Sequence, residues 1–206
     1  GQYQQAIDQF SIAIQKNPRH KESFSSRSFS YRRLGQLQNA LQDAEEAIRL
    51  DPNFADAYKN RCGAYSKLNE YQKALDDCDK AIQLDPGFGA AYMNRGLTYG
   101  RMGQYQRSIQ DFDQGIRLEP SASRYNSRGI SYGHLSQYQR AIEDFDEAIR
   151  LDLNYKKAYG NRGIAYGKLG QHHQAIQDFD EVIRLDSNGV KAYNLRGVAY
   201  NYLGNY

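Results

Sequence analysis

The strongest constraint in this sequence is an internal repeat of about 34 residues. A pattern of Tyr-x-Asn-Arg-Gly-x-x-Tyr, followed by Tyr-x-x-Ala-Ile-x-Asp-Phe-Asp-x-Ala-Ile, recurs with local substitutions. The first aromatic residues of the copies are Phe24, Tyr58, Tyr92, Tyr125, Tyr159 and Tyr193. Successive copies therefore begin 34, 34, 33, 34 and 34 residues apart. A fixed period predicts structural units that pack on their neighbours along the chain.

Each copy contains two stretches with helical apolar spacing. In the stretch 3–16, Tyr3, Ile7 and Phe10 are three or four positions apart, which is typical of one face of an amphipathic helix. The same reasoning predicts helix pairs over 21–34 and 38–50, 55–68 and 72–84, 89–102 and 106–118, 122–135 and 139–151, and 156–169 and 173–185. A further helix begins at Val190.

The two helices of each pair are separated by a residue that tolerates a left-handed or capping backbone. These turn residues are Gly35, Asn69, Gly103, Ser136 and Gly170. We expect each of them to reverse the chain between two antiparallel helices.

The repeat resembles the tetratricopeptide repeat in its period and in its signature positions. In residues 55–88 the matching residues are Tyr58, Cys62, Tyr65, Ala74, Cys78, Ala81 and Pro86. In the next copy they are Tyr92, Gly96, Tyr99, Ser108, Phe112, Gly115 and Pro120. The resemblance covers essentially the whole chain. It implies an all-α fold, a right-handed superhelical solenoid of antiparallel helix pairs, with about five full repeats and a half repeat at each end.

On this basis we expect residues 1–206 to form a single array. Its predicted parts are a half repeat 1–20, repeats 21–54, 55–88, 89–121, 122–155 and 156–189, and a half repeat 190–206. Because the chain starts and ends within a repeat, we expect the parent protein to extend beyond both ends.

Composition argues against several classes of function. The chain has 27 basic and 24 acidic side chains, and its net charge of +3 is too small to indicate nucleic acid as a partner. No apolar run of about 18 residues predicts a membrane span. No charged-then-apolar leader opens the chain, but a targeting signal could lie outside it, so the compartment is left open with the cytoplasm as the default expectation.

Catalytic and metal sites are not indicated either. The four histidines are scattered, so we predict no metal and no cofactor. The acidic residues recur in copy after copy, which is a property of a scaffold and not of one active site. We therefore expect no enzyme activity.

Cys62 and Cys78 occupy small-residue positions of one repeat. Two cysteines are too few for a disulfide-rich scaffold or a four-ligand zinc site. We expect two buried thiols packed in the core, and a bond between them is the alternative.

Two periodic features predict how the helices of a pair pack together. Small residues recur on the first helix, where they allow a close approach of the second helix; they are Gly96, Gly129, Gly163 and Gly197. Charged rows also recur on the first and second helices: Arg27, Arg61, Arg95, Arg128, Arg162 and Arg196, and Asp43, Asp77, Asp111, Asp144 and Asp178. We expect these rows to form charge-assisted hydrogen bonds between helices, and ligand binding by the arginines is the alternative.

The resemblance implies that the first helices line a concave wall, and this sequence places three kinds of side chain there. The amide positions are Asn60, Asn94, Asn126 and Asn161. The apolar row is Phe29, Gly63, Leu97, Ile130, Ile164 and Val198. The basic positions are Arg33, Lys59, Lys67, Arg101, Lys157, Lys168 and Lys191.

Such a wall suits an extended peptide. An amide both donates and accepts, so a row of amides can pair with a peptide backbone of any sequence. The apolar row supplies contact area, and the cations favour acidic side chains or a terminal carboxylate. Under the alternative interpretation the apolar row only supports helix packing.

One sharper function of this family can be tested by residue. Repeats that clamp the acidic tails of chaperones combine lysines, asparagines and an arginine at set positions of three successive repeats. Lys59 and Asn94 fit that pattern, whereas Gly63, Ser123 and Ser127 do not. We therefore predict that this chain does not form that clamp.

The leading hypothesis is a protein–protein interaction scaffold that binds an extended, possibly acidic, segment in its concave groove. The alternative is a structural scaffold that stacks head to tail with further copies through its open terminal helices.

Overall fold

The computed structural model describes residues 1–204, which form twelve α-helices and no strand. Residues 205 and 206, the last two of the predicted half repeat 190–206, lie outside the described residues. Internal contacts divide the chain into two compact units, Gly1–Met102 and the part from Gly103 onward. Among the helices described, none is long and apolar enough to cross a membrane.

Each unit contains six helices. In the first unit they are α1 (Gln2–Lys16), α2 (Lys21–Arg33), α3 (Leu37–Leu50), α4 (Ala55–Lys67), α5 (Tyr71–Leu84) and α6 (Gly89–Arg101). In the second they are α7 (Tyr105–Leu118), α8 (Ala122–His134), α9 (Tyr138–Leu151), α10 (Lys156–Lys168), α11 (His172–Leu185) and α12 (Val190–Gly204). The helix bounds lie within about one residue of the predicted ones, so the all-α prediction is confirmed.

Within each unit, every helix packs against the next one along the chain. The first helices of neighbouring repeats also contact each other: α2 with α4, α4 with α6, α8 with α10 and α10 with α12. Among the described residues of each unit, the second helices make no such contact with each other. The first helices therefore form the inner face of each unit, as the family resemblance implies.

The turns between paired helices adopt the predicted left-handed backbone. Asn69 and Ser136 have φ values of 63° and 59°, and the glycines at the equivalent positions have φ values of 74° to 79°. Gly and, less often, Asn accept this conformation at little cost, which accounts for the glycines and for Asn69; Ser136 adopts it as well.

The two helices of a pair approach closely because one of them lacks a side chain. A Cβ atom built on Gly129 would lie 2.7 Å from Cε1 of Phe145, and one on Gly163 would lie 2.7 Å from Cε1 of Phe179. The Phe rings of the second helices thus fill the space above the glycines, and both rings are only 3% exposed. Gly197 has no such neighbour within 4 Å.

The expectation of two free thiols is wrong. Cys62 on α4 and Cys78 on α5 form a disulfide, with 5.5 Å between their Cα atoms and both side chains fully buried. The physical reason is the same close approach of the paired helices. These cysteines occupy the positions that Gly129 and Phe145 occupy in a sister repeat, and two sulfur atoms bridge the space that the ring fills there.

Replacing Gly163 by Ala is expected to destabilise the fold by about 1–2 kcal/mol, because Phe179 must move to admit the new methyl group. Gly167→Ala, one turn later on the same helix, has nothing within 4 Å of the added Cβ. It should stabilise the chain by up to ~1 kcal/mol through helix propensity. Urea unfolding of both variants measures the difference. Equal effects of the two substitutions would contradict this account of the packing.

Removing the disulfide with Cys62→Ala and Cys78→Ala is expected to cost about 3 kcal/mol, since the bond closes a short loop in the unfolded chain. A reductant present throughout unfolding should lower the stability of the unmodified chain similarly and leave the double variant unchanged. If the unmodified chain, kept without reductant, shows two free thiols after denaturation, the bond does not form in solution.

Candidate functional site

The candidate site lies on the inner faces of the units. Arginines with buried carboxylate partners bond the helices of these faces to the second helices behind them. Nε of Arg162 donates to Asp178 Oδ2 at 2.9 Å, and Nη2 donates to Oδ1 at 2.6 Å. The same two-bond arrangement joins Arg27 to Asp43, Arg61 to Asp77 and Arg128 to Asp144. The predicted bonds between helices are confirmed at these four positions, so these arginines are structural.

A second acidic row, which the sequence reasoning did not separate from the first, holds the same arginines from the preceding repeat. Nη1 of Arg162 donates to Asp146 Oδ1 at 2.5 Å, and Nη1 of Arg128 donates to Asp113 Oδ1 at 2.6 Å. The repeated Asp-Phe-Asp motif was the available signal, because its two aspartates point to two different arginines. Each of these arginines consequently joins three helices.

Burial of this network changes the titration of its carboxylates. Burial raises the pKa of Asp178 above its usual value, and the hydrogen bonds from Arg162 act in the opposite direction. The pKa values of Asp77 and Asp144 are raised for the same reason. These aspartates therefore depend on their arginines to remain charged inside the fold.

The apolar row is accessible on the inner face. Leu97 in the first unit is 38% exposed and Ile130 in the second is 39% exposed, whereas Ile164 is half-buried. In the first unit the row is interrupted at Gly63, where the side chain of Arg32 from the preceding repeat occupies the space.

The amide positions are largely engaged with the neighbouring repeat. Nδ2 of Asn60 donates to the Ser25 carbonyl oxygen at 2.9 Å, and Nδ2 of Asn94 donates to that of Lys59 at 2.9 Å. Asn60 is only 2% exposed, so its amide is not presented to a ligand.

The second unit shows the same pattern. Nδ2 of Asn161 donates to Oδ1 of Asn126 at 2.9 Å, and Asn126 is buried. Asn94 and Asn161 are only half-buried, which leaves them as the two amides of the row with accessible side chains.

Three basic positions of the first unit, Arg33, Lys67 and Arg101, are the last residues of its first helices. Lys67 Nζ donates to the Arg32 carbonyl oxygen at 2.8 Å, and Arg101 Nη1 donates to that of Ser66 at 2.9 Å. Each cation thus caps the C-terminal turn of the preceding first helix, where a positive charge is favoured. Lys59 instead pairs with Asp56 at 2.7 Å.

The basic positions of the second unit are Lys157, Lys168 and Lys191, and all three are exposed. His134 and Tyr202 occupy the position of Lys168 in the neighbouring repeats, and each stacks on another ring. The His134 ring lies 4.4 Å from that of Tyr105, and the Tyr202 ring lies 4.8 Å from that of His172. No group of three metal-ligating side chains occurs among the described residues.

An aromatic cleft of about 610 Å³ lies between α1, α2 and α4 in the first unit. Its α1 wall includes Phe10, whose equivalents Ala44 and Cys78 in the complete repeats are covered by a first helix. We define the aromatic cleft by the rings that line it, which are Tyr3, Phe10, Phe29 and Phe54. Ser25, Ser26, Ser30 and Asn60 add polar atoms to its walls, and Glu22, Asp56 and Lys59 add charges. Phe29 was predicted as part of the apolar row, whereas the other three rings reach the cleft only through the packing of α1 and α4.

Comparison with protein families finds the tetratricopeptide repeat along most of the chain. Models of this repeat match residues 22–54, 55–88, 89–121, 122–155 and 157–188. The resemblance read from the sequence is thereby confirmed. No curated protein sequence shows significant similarity to the chain.

Solved structures with the same fold share little sequence with this chain. A chain of the APC/C hetero-tetramer Cut9–Hcn1 superposes with a TM-score of 0.84 and 17% identity over 98% of this chain. This chain spans only 40% of that one. A tetratricopeptide repeat protein from Parabacteroides merdae superposes with a TM-score of 0.75 and 21% identity, covering 97% of this chain and 78% of that one.

A third structure, YrrB, is described as a protein of this repeat class with an unusual peptide-binding site. It superposes with a TM-score of 0.66 and 18% identity, covering 91% of this chain and 97% of that one. Identities this low establish the shared fold alone.

The arginine network makes a prediction about stability. Arg162→Met should destabilise the chain by about 3 kcal/mol, because Asp178 is left buried without its partner. Arg184→Met removes an exposed pair with Glu181 on the surface of α11 and should cost less than about 1 kcal/mol. Urea unfolding of the two variants provides the comparison.

The cost of Arg162→Met should also grow with pH. Without Arg162 the pKa of folded Asp178 rises further above its unfolded value, so the folded state binds the proton more tightly. Stability of the variant then falls as the pH rises from about 5 to about 8. A cost independent of pH over this range would show that Asp178 finds another cation or water.

Proposed function

The chain belongs to the tetratricopeptide repeat family, and we propose that it is a binding module, without catalysis of its own, that holds an extended protein segment on the inner faces of its first helices. Proteins of this family generally serve as scaffolds for protein–protein interaction. The proposal concerns this chain, and any activity of a longer parent protein is a separate matter.

The single observation that carries the proposal is the set of apolar and amide side chains left accessible on the inner faces: Leu97 and Asn94 in the first unit, and Ile130 and Asn161 in the second. Apolar side chains beside oriented amides suit an extended protein segment, because they combine apolar contact area with hydrogen-bond partners for its backbone.

The half-buried amides support an extended ligand. Asn94 donates one amide hydrogen to the neighbouring helix, and this bond orients its side chain. Its Oδ1 remains to accept a hydrogen bond from a peptide N–H. Asn161 is held in the same way in the second unit. Amides oriented by the scaffold lose less conformational entropy when a ligand binds.

The basic positions support a preference for acidic segments. Lys168, Lys157 and Lys191 are exposed in the second unit, and Lys67 and Arg101 are exposed in the first. Cations on a binding face attract acidic ligands and increase their rate of association. The chaperone-tail clamp is not part of this proposal, since the required residues are missing at Gly63, Ser123 and Ser127.

One observation favours the alternative, in which copies stack head to tail. Helix α12 exposes large apolar side chains on its described surface, including Val190 at 72%, Tyr200 at 53% and Tyr202 at 54%. A helix from a second copy could cover such a face. We place it second because it gives no role to the accessible apolar and amide side chains of α6, α8 and α10.

The inner face is tested with Leu97→Ala. Peptides selected from an immobilised random library on the unmodified chain serve as probes, and their affinities are measured by fluorescence anisotropy. We expect Leu97→Ala to weaken the selected peptides about tenfold, because the variant removes apolar contact area from the inner face. Ile12→Ala is the matched control: Ile12 is exposed like Leu97 but lies on α1, away from the inner-face helices α2, α4 and α6.

Equal losses for both variants, or no loss for either, would place the binding elsewhere. Circular dichroism of the two variants checks that each keeps its helices.

A further inference from the structure

The disulfide between Cys62 and Cys78 lies where three helices of the first unit meet. It joins α4 to α5, and Cys78 Sγ lies 3.5 Å from the carbonyl oxygen of Ala91 on α6. Both cysteine side chains are fully buried. A change in this bond therefore acts on α4, α5 and α6 together.

The bond takes the place of apolar packing between α4 and α5. The buried cluster around it consists of Cys62, Ala74 and Cys78. A cluster of the second unit also holds larger side chains, such as Ile142 and Phe145. Because the cluster around the cysteines buries little apolar area, the covalent bond is a large part of what holds α4 against α5.

Loss of the bond is expected to loosen this helix pair without unfolding it. Arg61 and Asp77, the residues that precede the two cysteines, still join α4 to α5 through two hydrogen bonds of 2.7 Å. The preceding repeat closes without a disulfide: it has Ser28 and Ala44 at the positions of the cysteines, and Ser28 Oγ donates to the Ala40 carbonyl oxygen. The reduced pair therefore stays folded and opens more often.

Helix α4 is also bonded to α6, which carries the accessible side chains of the inner face in the first unit. The side chains of Asn94 and Arg101 donate to the carbonyl oxygens of Lys59 and Ser66 on α4. The hydroxyl oxygens of Thr98 and Ser66 are 2.9 Å apart. These bonds break when α4 moves away from α6, so the arrangement of this face depends on the position of α4.

Reduction of the bond requires direct access to a sulfur atom. A thiolate of a dithiol reductant attacks one cysteine sulfur, a mixed disulfide forms, and the other sulfur leaves as a thiolate. The second thiolate of the reductant then releases the first sulfur, so the chain gains two electrons and the reductant leaves as a disulfide. The two cysteine thiolates take up protons from water. Because both side chains are fully buried, neither sulfur is attacked until α4 separates from α5.

We propose that the Cys62–Cys78 disulfide is a redox device coupled to the inner face of the first unit. A protein segment bound across α4 and α6 stabilises the closed arrangement of the helices and slows reduction of the bond. Reduction of a chain without a bound segment loosens α4, α5 and α6 and weakens binding on this face. The inference rests on the proposed function and names a regulation of its site.

The first test measures amide hydrogen exchange of the full chain with and without dithiothreitol. We expect exchange in α4 and α5 to become at least about tenfold faster on reduction, because the cross-link no longer limits opening of the pair. Exchange in α8, α9 and α10 should change less than about twofold, since each repeat of an array acts mainly on its neighbours. Equal changes in all five helices, or no change in any, would overturn the inference.

The control variant is Cys62→Ser with Cys78→Ala, which gives this repeat the residues that the preceding repeat carries, Ser28 and Ala44. Its hydrogen exchange should match that of the reduced chain and should not respond to dithiothreitol. A response of this variant as large as that of the unmodified chain would assign the effect to another action of the reductant and would refute the inference.

The second test follows reduction by dithiothreitol, with the tightest peptide from the random library as the probe and alkylation of free thiols as the readout. Peptide at about ten times its Kd should slow reduction about tenfold, because only the open form without peptide is reduced. In Leu97→Ala, whose affinity is expected to be about tenfold weaker, the same concentration should slow reduction only about twofold. The reduced chain should bind this peptide at least about twofold more weakly than the oxidised chain.

The failures of the two proposals are distinguishable. If bound peptide leaves the reduction rate unchanged, the coupling is refuted, while the proposed function stands as long as Leu97→Ala weakens the peptide and Ile12→Ala does not. Equal losses for those two variants refute the proposed function. The hydrogen-exchange comparison needs no peptide, and it then still decides whether the bond controls α4 and α5.

Discussion

The structure depends on arginines that are shared among three helices. Arg162 holds Asp178 on the second helix of its own repeat and Asp146 on the second helix of the preceding repeat. Because the guanidinium is planar and carries several donors, one side chain can satisfy both carboxylates. The bonds within a repeat hold the helix pair together, and the bonds between repeats hold successive pairs. The same network therefore supports both levels of the fold.

This network also changes how the remaining charges are interpreted. Arginines with buried carboxylate partners are committed to structure, which removes Arg27, Arg61, Arg128 and Arg162 as candidates for ligand binding. Among the cations predicted for the inner wall, Lys67 and Arg101 at the ends of first helices and Lys157, Lys168 and Lys191 of the second unit are exposed and have no such carboxylate partner in the described part of the chain. The residues available for binding a ligand are therefore those that the arginine network does not use.

The inner face combines structural and binding roles in the same residues. Asn60 is buried, with Nδ2 bonded to the preceding repeat and Oδ1 without a hydrogen-bond partner among residues 1–204, whereas Asn94 is half-buried and uses Nδ2 on the preceding repeat. Lys67 caps a helix with one donor and retains two others. Hydrogen bonds of this kind recur at a separation of 35 residues, from Asn60 to Ser25, from Lys67 to Arg32 and from Arg101 to Ser66. They orient the surface that a ligand would meet, so stability between repeats and binding on the inner face are expected to be coupled.

The sequence by itself determined the helix pairs, the left-handed turns at residues such as Asn69 and Ser136, and the Arg–Asp pairing, because each follows from a short-range or strictly periodic signal. Tertiary structure alone decided which amides are buried, that Cys62 and Cys78 are bonded, and that Arg32 fills the space beside Gly63. These features depend on the spacing and register of helices that meet only after folding, where a difference of about one methyl group decides whether a side chain fits. Local patterns carry no record of such distances.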